Sequence, residues 1–176
     1  IGGQRRSAPV GPLAVAMHRP ALAEAMSALG LVLRFNSSFE PRLREFTILL
    51  TGRYWDCQFE WASPESEARK AGLSESSIET LRAGGSMFAA ADEQAIHDYG
   101  KELLTKHFAS DATYGRALAL FGTSGTVELT GRIGYYAMYA LRPNGGELEV
   151  PAGVAPRLAP TQLGPRKRKN TAQAGT

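Results

Sequence analysis

The sequence predicts an all-α fold for the body of the chain. Apolar residues recur at helical spacing along most of its length, and no convincing run alternates apolar and polar residues as a half-buried strand would. Helix boundaries are also visible, because Pro20 and Pro41 each fit a first helical turn and Gly84-Gly85 is a break. Together these observations favour a bundle of about six to seven helices.

Caps, prolines and glycines divide this body into helices in a definite order. Ser63 is expected to cap one helix with Pro64 in its first turn, and Ser74 to cap a shorter one. The helix that begins at Pro41 is expected to run without interruption towards Trp61. The expected helices cover approximately residues 20–35, 41–61, 64–71, 75–82, 91–108, 111–121 and 124–141.

Size and composition are typical of one globular domain. The chain has 176 residues, 43% of them hydrophobic, which is enough for an ample core. No run of about eighteen apolar residues is present, so no membrane contact is expected. The N-terminal residues lack the apolar stretch of a signal peptide, and a single cysteine cannot form an intrachain disulfide. These features predict a cytoplasmic protein.

Domain organisation follows from composition and charge. Residues 1–19 are expected to form an extended arm, residues 20–150 the helical domain, and residues 151–176 a Pro/Ala-rich basic tail. The tail holds five basic residues and no acid, and removing them from the net charge of +3 leaves −2 on the rest. Nucleic-acid binding by the domain is therefore not expected. The tail is interpreted as a flexible solubilising segment, with contact to a nucleic acid, to another anionic partner or to a neighbouring subunit as the alternatives.

The central segment EFTILLTGRYWDCQFEWASP, residues 45–64, has a characteristic spacing. Glu45 precedes Cys57 by twelve positions, and Glu60 follows Cys57 by three. This spacing resembles the core of the carboxymuconolactone decarboxylase family, whose alkylhydroperoxidase (AhpD-like) branch has the pattern E-x11-C-x2-C-x3-H. Glu60 stands at the position of the second cysteine and Pro64 at that of the histidine. Residues 110–122 and 127–144 are also similar to the C-terminal helices of the family.

The resemblance implies a fold and two chemistries. Family members are all-helical, assemble as dimers, trimers or hexamers, and have pockets lined by the central helices. One branch decarboxylates 4-carboxymuconolactone in aromatic compound catabolism without a metal or organic cofactor. Another branch reduces peroxides with its two cysteines, as peroxiredoxins do.

The carboxylates of the motif are candidates for acid/base catalysis. Losing CO₂ from a lactone acid creates an enolate that must be protonated, and a buried acid with a raised pKa can supply that proton. Glu45 and Glu60 are the candidates, and Arg53 is the candidate that binds the substrate carboxylate. Alternatively, Glu45 forms an ion pair with Arg42, Arg44 or an arginine of another subunit, and Glu60 lies on a solvated face.

Cys57 is the candidate for redox chemistry, but it has no CxxC partner to resolve a disulfide. We interpret it as a small buried residue, with a one-cysteine peroxidase as the alternative. On an ideal helix Cys57 and Trp61 share a face, Glu60 lies within about 60° of the thiol, and Glu45 lies about 120° away. For Glu45 and Cys57 to line one pocket, either the helix bends, with Gly52 as the candidate position, or Glu45 meets the corresponding face of another subunit.

The remaining candidates bind substrate rather than react with it. Aromatic residues are dense in and near the motif, and Trp61, Tyr135 and Tyr136 are the candidates for contact with a small molecule, although most aromatics are expected in the core or a subunit interface. No histidine pair has metal-ligand spacing and no glycine loop suits a phosphate, so no metal or cofactor is expected.

These features lead to one main hypothesis with two alternatives. The leading reading is a homo-oligomeric lyase or isomerase without a cofactor, acting on a small carboxylated lactone or a related aromatic-degradation intermediate. The alternatives are a peroxide-reducing antioxidant that uses Cys57, and a ligand-binding member of the family that has lost its chemistry.

Overall fold

The computed structural model describes residues 18–146 and 158–159. Within these residues it contains six α-helices and no strand, so the all-α prediction is confirmed there. The helices are α1 (Pro20–Phe35), α2 (Pro41–Tyr54), α3 (Gln58–Lys70), α4 (Glu75–Arg82), α5 (Ala91–Lys106) and α6 (Asp111–Gly146).

Helix α2 is the centre of the bundle. It packs against α3, α4, α5 and α6, and every residue from Glu45 to Gly52 is buried. A helix that is buried on all sides must satisfy its polar groups internally. The hydroxyls of Thr47 and Thr51 do so by donating to the carbonyl oxygens four residues earlier, at 2.8 and 2.9 Å.

The predicted continuous helix from Pro41 to Trp61 is wrong, because the chain turns after Tyr54. Asp56 adopts a left-handed conformation with φ of 48°. The Asp56 N–H donates to the Arg53 carbonyl at 3.2 Å, and the Cys57 N–H donates to the Gly52 carbonyl at 2.9 Å. This pair of bonds is a Schellman motif, which usually has glycine in the left-handed position. Aspartate also tolerates that conformation, so the end of α2 lacks the glycine signal.

The predicted helix start at Ser63 is also wrong. Helix α3 begins at Gln58, and Pro64 lies inside it. Proline in a helix interior cannot donate a hydrogen bond to the residue four positions earlier, which here is Glu60. Both errors have one cause: the turn that was expected before Pro64 occurs instead at residues 55–57.

The C-terminal helices that were expected at 111–121 and 124–141 form one kinked element, α6. The kink lies at Gly122, with φ of 66° and ψ of 179°. A positive φ is accessible to glycine without the steric cost that a side chain would bring. The predicted break is therefore present, but the helix resumes directly after it.

Two residues beyond α6 are fixed against the bundle. Leu158 is buried in the main core, and its backbone N–H and C=O both bond to the side-chain amide of Gln58, at 3.1 and 2.7 Å. The other predictions for the N-terminal arm and the tail lie outside the described residues. Across residues 18–146 and 158–159, no helix is both long and apolar enough to cross a bilayer.

Candidate functional site

A cavity of about 470 Å³ lies between α1, α3 and the C-terminal half of α6. Its apolar lining includes Met26, Leu31, Phe35 and Phe59, and its polar lining includes Arg34, Glu60, Ser63 and the tyrosines at 135, 136 and 139. Pockets of this kind, apolar with a few convergent polar groups, are typical of small-molecule sites. We refer to it as the Glu60 cavity.

Glu60 is a buried carboxyl group of this cavity whose pKa is strongly raised. The turn at residues 55–57 directs α3 back along α2, and Gly52 permits a close approach, since a Cβ there would lie 3.1 Å from the Cβ of Glu60. Glu60 is 4% exposed, and its Oε2 has no hydrogen-bond partner among the described residues. Burial raises the pKa of Glu60 to about 8, although the charge of Arg34 opposes this shift. At neutral pH the group is therefore a protonated acid.

Arg34 is the cation of the Glu60 cavity. It lies in the last turn of α1, and its side chain is 36% exposed. Tyr136 also lines the cavity, and burial raises the pKa of its hydroxyl to about 12, with Arg34 acting in the opposite direction. The cavity thus combines a permanent cation, a neutral phenol and a neutral carboxylic acid.

Glu45 lines a neighbouring cavity of about 300 Å³ rather than the Glu60 cavity. The two cavities share Arg34 and Phe35 in their linings. The Glu45 Oε1 accepts from the Arg34 Nη2 at 3.4 Å, while its Oε2 is buried without a partner. Burial raises the pKa of Glu45, and Arg34 opposes this shift. Arg34 therefore lines both cavities, one with the buried carboxyl group of Glu60 and the other with that of Glu45.

Cys57 is buried, and its surroundings disfavour the thiolate. It caps the start of α3, is 1% exposed, and has no disulfide partner. Burial raises the pKa of its thiol to about 12, although backbone N–H groups of α3 favour the thiolate. Since the thiolate is the reactive form, this environment suppresses attack on a peroxide.

Cys57 is accordingly expected to resist iodoacetamide in the folded protein at pH 8 and to react fully in urea, because burial disfavours both thiolate formation and access. Intact-mass spectrometry follows the added group with time. Labelling of the folded protein at the rate of the unfolded chain would contradict this prediction and favour the redox alternative.

Two other candidates lie away from the Glu60 cavity. The Arg53 Nη1 donates to Asp56 Oδ1 at 2.5 Å and to the Ala159 carbonyl at 3.1 Å, and Arg53 lines a different cavity. Trp61 is fully buried in the main core, where its indole N–H donates to Glu65 Oε2 at 2.8 Å. Tyr135 and Tyr136 do line the Glu60 cavity, as does Pro64 at the position of the family histidine.

Sequence reasoning did not select Arg34 or Tyr139. Arg34 lies on a helix outside the motif, and only the tertiary packing of α1 brings it to Glu60. A basic residue in the last helical turn is a common capping feature, so the pattern alone gave no reason to choose it. Within residues 18–146 and 158–159, no three His, Cys, Asp or Glu side chains form a group that could hold a metal ion.

The fold has a solved counterpart. The chain is similar in structure to a protein of unknown function from Agrobacterium tumefaciens that is assigned provisionally to antioxidant defence as AhpD, with a TM-score of 0.66 and 21% sequence identity. The fold is AhpD-like. The similarity covers 78% of this chain and 96% of the Agrobacterium protein.

At this level of identity the likeness establishes the fold and leaves the chemistry to the site. No protein-family model matches the sequence, and no curated protein matches it. The carboxymuconolactone decarboxylase and peroxidase readings therefore depend on the residues of the AhpD-like bundle themselves.

Proposed function

We propose that the AhpD-like bundle is an acid catalyst without a cofactor, a lyase or isomerase that acts on a small carboxylated lactone or a related aromatic-degradation intermediate in the Glu60 cavity. The observation that carries this proposal is Glu60, a buried carboxyl group with a pKa of about 8 in the same cavity as Arg34. A general acid is most effective when its pKa lies near the working pH.

Arg34 is proposed to bind a carboxylate of the substrate. A guanidinium can donate two parallel hydrogen bonds to one carboxylate, which fixes orientation as well as position. Its link to Glu45 is long at 3.4 Å, so Arg34 is held only loosely by the protein. Arg34 replaces Arg53 in this role, because Arg53 lines another cavity.

The proposed step transfers one proton and breaks one bond. The bond between the ring carbon and the carboxylate breaks, CO₂ leaves, and the electron pair is delocalised onto the lactone carbonyl as an enolate. The hydroxyl of Tyr136 is proposed to donate a hydrogen bond to the enolate oxygen, since its pKa is raised to about 12 and it is protonated at neutral pH. Glu60 then donates its proton to carbon, and a proton from water restores it. An isomerase would instead require the ionised carboxylate of Glu60 to remove a proton from one ring carbon, forming the enolate, and the resulting acid to return that proton to another carbon.

A screen of unsaturated lactone mono- and dicarboxylates tests this proposal, with ultraviolet absorbance and CO₂ release as readouts. For a substrate that turns over, Arg34→Gln is expected to raise KM about 10–100-fold, because it removes a charged hydrogen-bonding partner. Arg116→Gln is the matched control, since Arg116 is 51% exposed on α6 and outside the Glu60 cavity. It is expected to leave KM unchanged.

Binding of a lactone acid without turnover would favour the non-catalytic reading. Calorimetric titration in the same screen detects that case. Equal KM values for Arg34→Gln and wild type would show that the substrate carboxylate is bound elsewhere.

We also propose that the chain forms a homo-oligomer through α1. This helix exposes several large apolar side chains, at 45–69% of their surface: Leu22, Leu29, Leu31, Val32 and Phe35. Leu31 and Phe35 also line the Glu60 cavity, so a second copy that covers α1 would shield the site from water.

Sedimentation velocity is expected to show an oligomer for the wild type and a smaller species for Val32→Glu, because a buried charge opposes association. Met87→Glu is the control, since Met87 is 80% exposed and lies between α4 and α5. An oligomer that withstands Val32→Glu would argue against this surface.

A further inference from the structure

A separate cavity of about 280 Å³ lies between α2, the end of α4 and α5. It shares no lining residue with the Glu60 cavity. We refer to it as the Arg53 cavity. The proposed reaction uses none of its groups.

The apolar part of this cavity is built from the core. Leu50, Leu81 and Leu104 line it and belong to the main hydrophobic cluster. One wall carries no side chain, because Gly84 and Gly85 line it. Their backbones are fixed at the end of α4, where the Gly84 N–H donates to the Leu81 carbonyl at 2.9 Å and the Gly85 N–H to the Thr80 carbonyl at 2.8 Å.

Gly84 leaves open space at this wall. Gly84 has φ of 72°, which disfavours any side chain, and a Cβ built there would meet nothing within 4 Å. The space beside Gly84 is therefore empty of protein atoms. A chain of a few methylene groups would be in contact with leucine on several sides.

The polar part of the Arg53 cavity is basic. Its ten lining residues include Arg53, Lys101 and His97 and no carboxylate. Burial lowers the pKa of His97, so its imidazole is neutral at pH 7 and the two cations are Arg53 and Lys101. No ion pair involves Lys101 within residues 18–146 and 158–159.

Arg53 retains an unused donor. Its Nη1 bonds to Asp56 and to the carbonyl of Ala159, but its Nε is buried and has no hydrogen-bond partner among the described residues. A buried donor of a charged group without an acceptor costs free energy, so the protein leaves part of the hydrogen-bonding capacity of this guanidinium unused. The Nε itself is closed to solvent, so an anion in the cavity would meet the 13% of the Arg53 side chain that is exposed.

We infer that the Arg53 cavity binds a small aliphatic carboxylate, with the acid group at Arg53 and Lys101 and the alkyl chain against the three leucines. This site is additional to the proposed catalytic function and does not depend on it. Tyr54 and Thr105 supply hydroxyls beside the same cavity.

The test is a titration of the ¹⁵N-labelled full-length chain with sodium hexanoate, followed by amide NMR shifts, with hexanamide as the neutral probe of equal size. Hexanoate is expected to shift amides of α2, α4 and α5 and to bind at least about tenfold more tightly than hexanamide. Arg53→Gln is expected to weaken hexanoate binding about 10–100-fold.

Two further variants keep the result decisive if Arg53→Gln disturbs the turn at residues 55–57. Thr105→Tyr fills the cavity from an exposed position without altering Arg53, and it is expected to abolish hexanoate binding. Arg34→Gln is expected to leave hexanoate binding unchanged. Equal affinity for hexanamide, no binding at all, or a loss of binding in Arg34→Gln alone would each overturn the inference, whereas none of these outcomes affects the lactone screen.

Discussion

Glu60→Gln is expected to lower kcat by about 10²–10⁴-fold on a substrate of the Glu60 cavity, because it removes the proton donor while preserving the shape of the side chain. The glutamine amide is neutral, as is the carboxylic acid that it replaces at pH 7. Stopped-flow or steady-state absorbance on the substrate found by screening measures the effect. Glu24→Gln, an exposed change on α1, is the control and is expected to retain full activity.

The pH dependence of kcat distinguishes proton donation by Glu60 from proton removal by it. The acid form of Glu60 predominates below its pKa of about 8, so kcat is expected to be highest below that pH and to fall as pH rises through it. A base catalyst at the same position would show the opposite dependence, with kcat rising as pH rises. A rate that rises through pH 8 would therefore contradict the role of Glu60 as the acid.

The pH dependence of folding stability also reports on the pKa of Glu60, and measuring it requires no substrate. The pKa of Glu60 is raised from 4.5 to about 8 by folding, so between these values the native state holds a proton that the unfolded state has released. The stability of the wild type should fall as pH rises through this window, by as much as about 5 kcal/mol. Glu60→Gln is expected to remove that slope, and urea unfolding at pH 5 and pH 8 measures it. An unchanged slope would assign the proton to another group.

The helical class could be predicted because periodicity and capping are local properties of the sequence. The bounds of α1 and α4 are among those predicted well, since proline, serine and glycine mark their ends. The end of α2 was missed because Asp56 takes the left-handed position that glycine usually holds. The start of α3 was predicted too late in the chain, because Pro64 was taken for a first-turn proline although it lies inside the helix.

The site was predicted only in part, for a reason of geometry. Glu60, Tyr135 and Tyr136 were selected from local patterns and line one cavity. Arg53 was selected as the cation while α2 was taken as one continuous helix towards Trp61. Once the chain turns at residues 55–57, α1 supplies the cation instead, through Arg34. Such a contact depends on how helices pack, and spacing along one helix carries no information about it.

Arg132 is the second residue whose replacement should have a large effect. It is fully buried on α6, and its Nη2 donates to the Leu33 carbonyl, the Ser37 hydroxyl and Glu128 Oε1 at 2.6–2.7 Å. Its guanidinium also lies 5.2 Å from the ring centre of Phe39. One side chain thus ties the end of α1 and the connection to α2 onto α6, the three elements that position Arg34 and Tyr136.

The carboxylate of Glu128 is part of the same arrangement. It accepts hydrogen bonds from the backbone N–H and hydroxyl of Ser38, at 2.9 and 2.6 Å, as well as from Arg132. Burial opposes ionisation of Glu128, but the hydrogen bonds from Ser37 and Ser38 and the charge of Arg132 hold its pKa below the usual 4.5. The cluster is therefore an ion pair at neutral pH.

Arg132→Met is expected to lower the free energy of unfolding by about 1–3 kcal/mol at pH 7, because it removes the hydrogen bonds from Nη2 to the Leu33 carbonyl and Glu128, while Glu128 keeps its bonds from Ser37 and Ser38. Urea denaturation measures it, with Arg116→Met on the same helix as the control. Arg116 is exposed and pairs with Asp98 at 3.3 Å, so its loss should cost under about 1 kcal/mol.

The difference between wild type and Arg132→Met should itself depend on pH. A carboxyl group whose pKa is lowered by folding contributes stability above 4.5 and loses it as pH falls through the folded-state value. The destabilisation is therefore expected to shrink in acid, where Glu128 becomes neutral and Arg132 is a buried cation without its partner. A cost that is equal for Arg132→Met and Arg116→Met would show that the cluster does not hold α1 in place, and the position of Arg34 would then need another explanation.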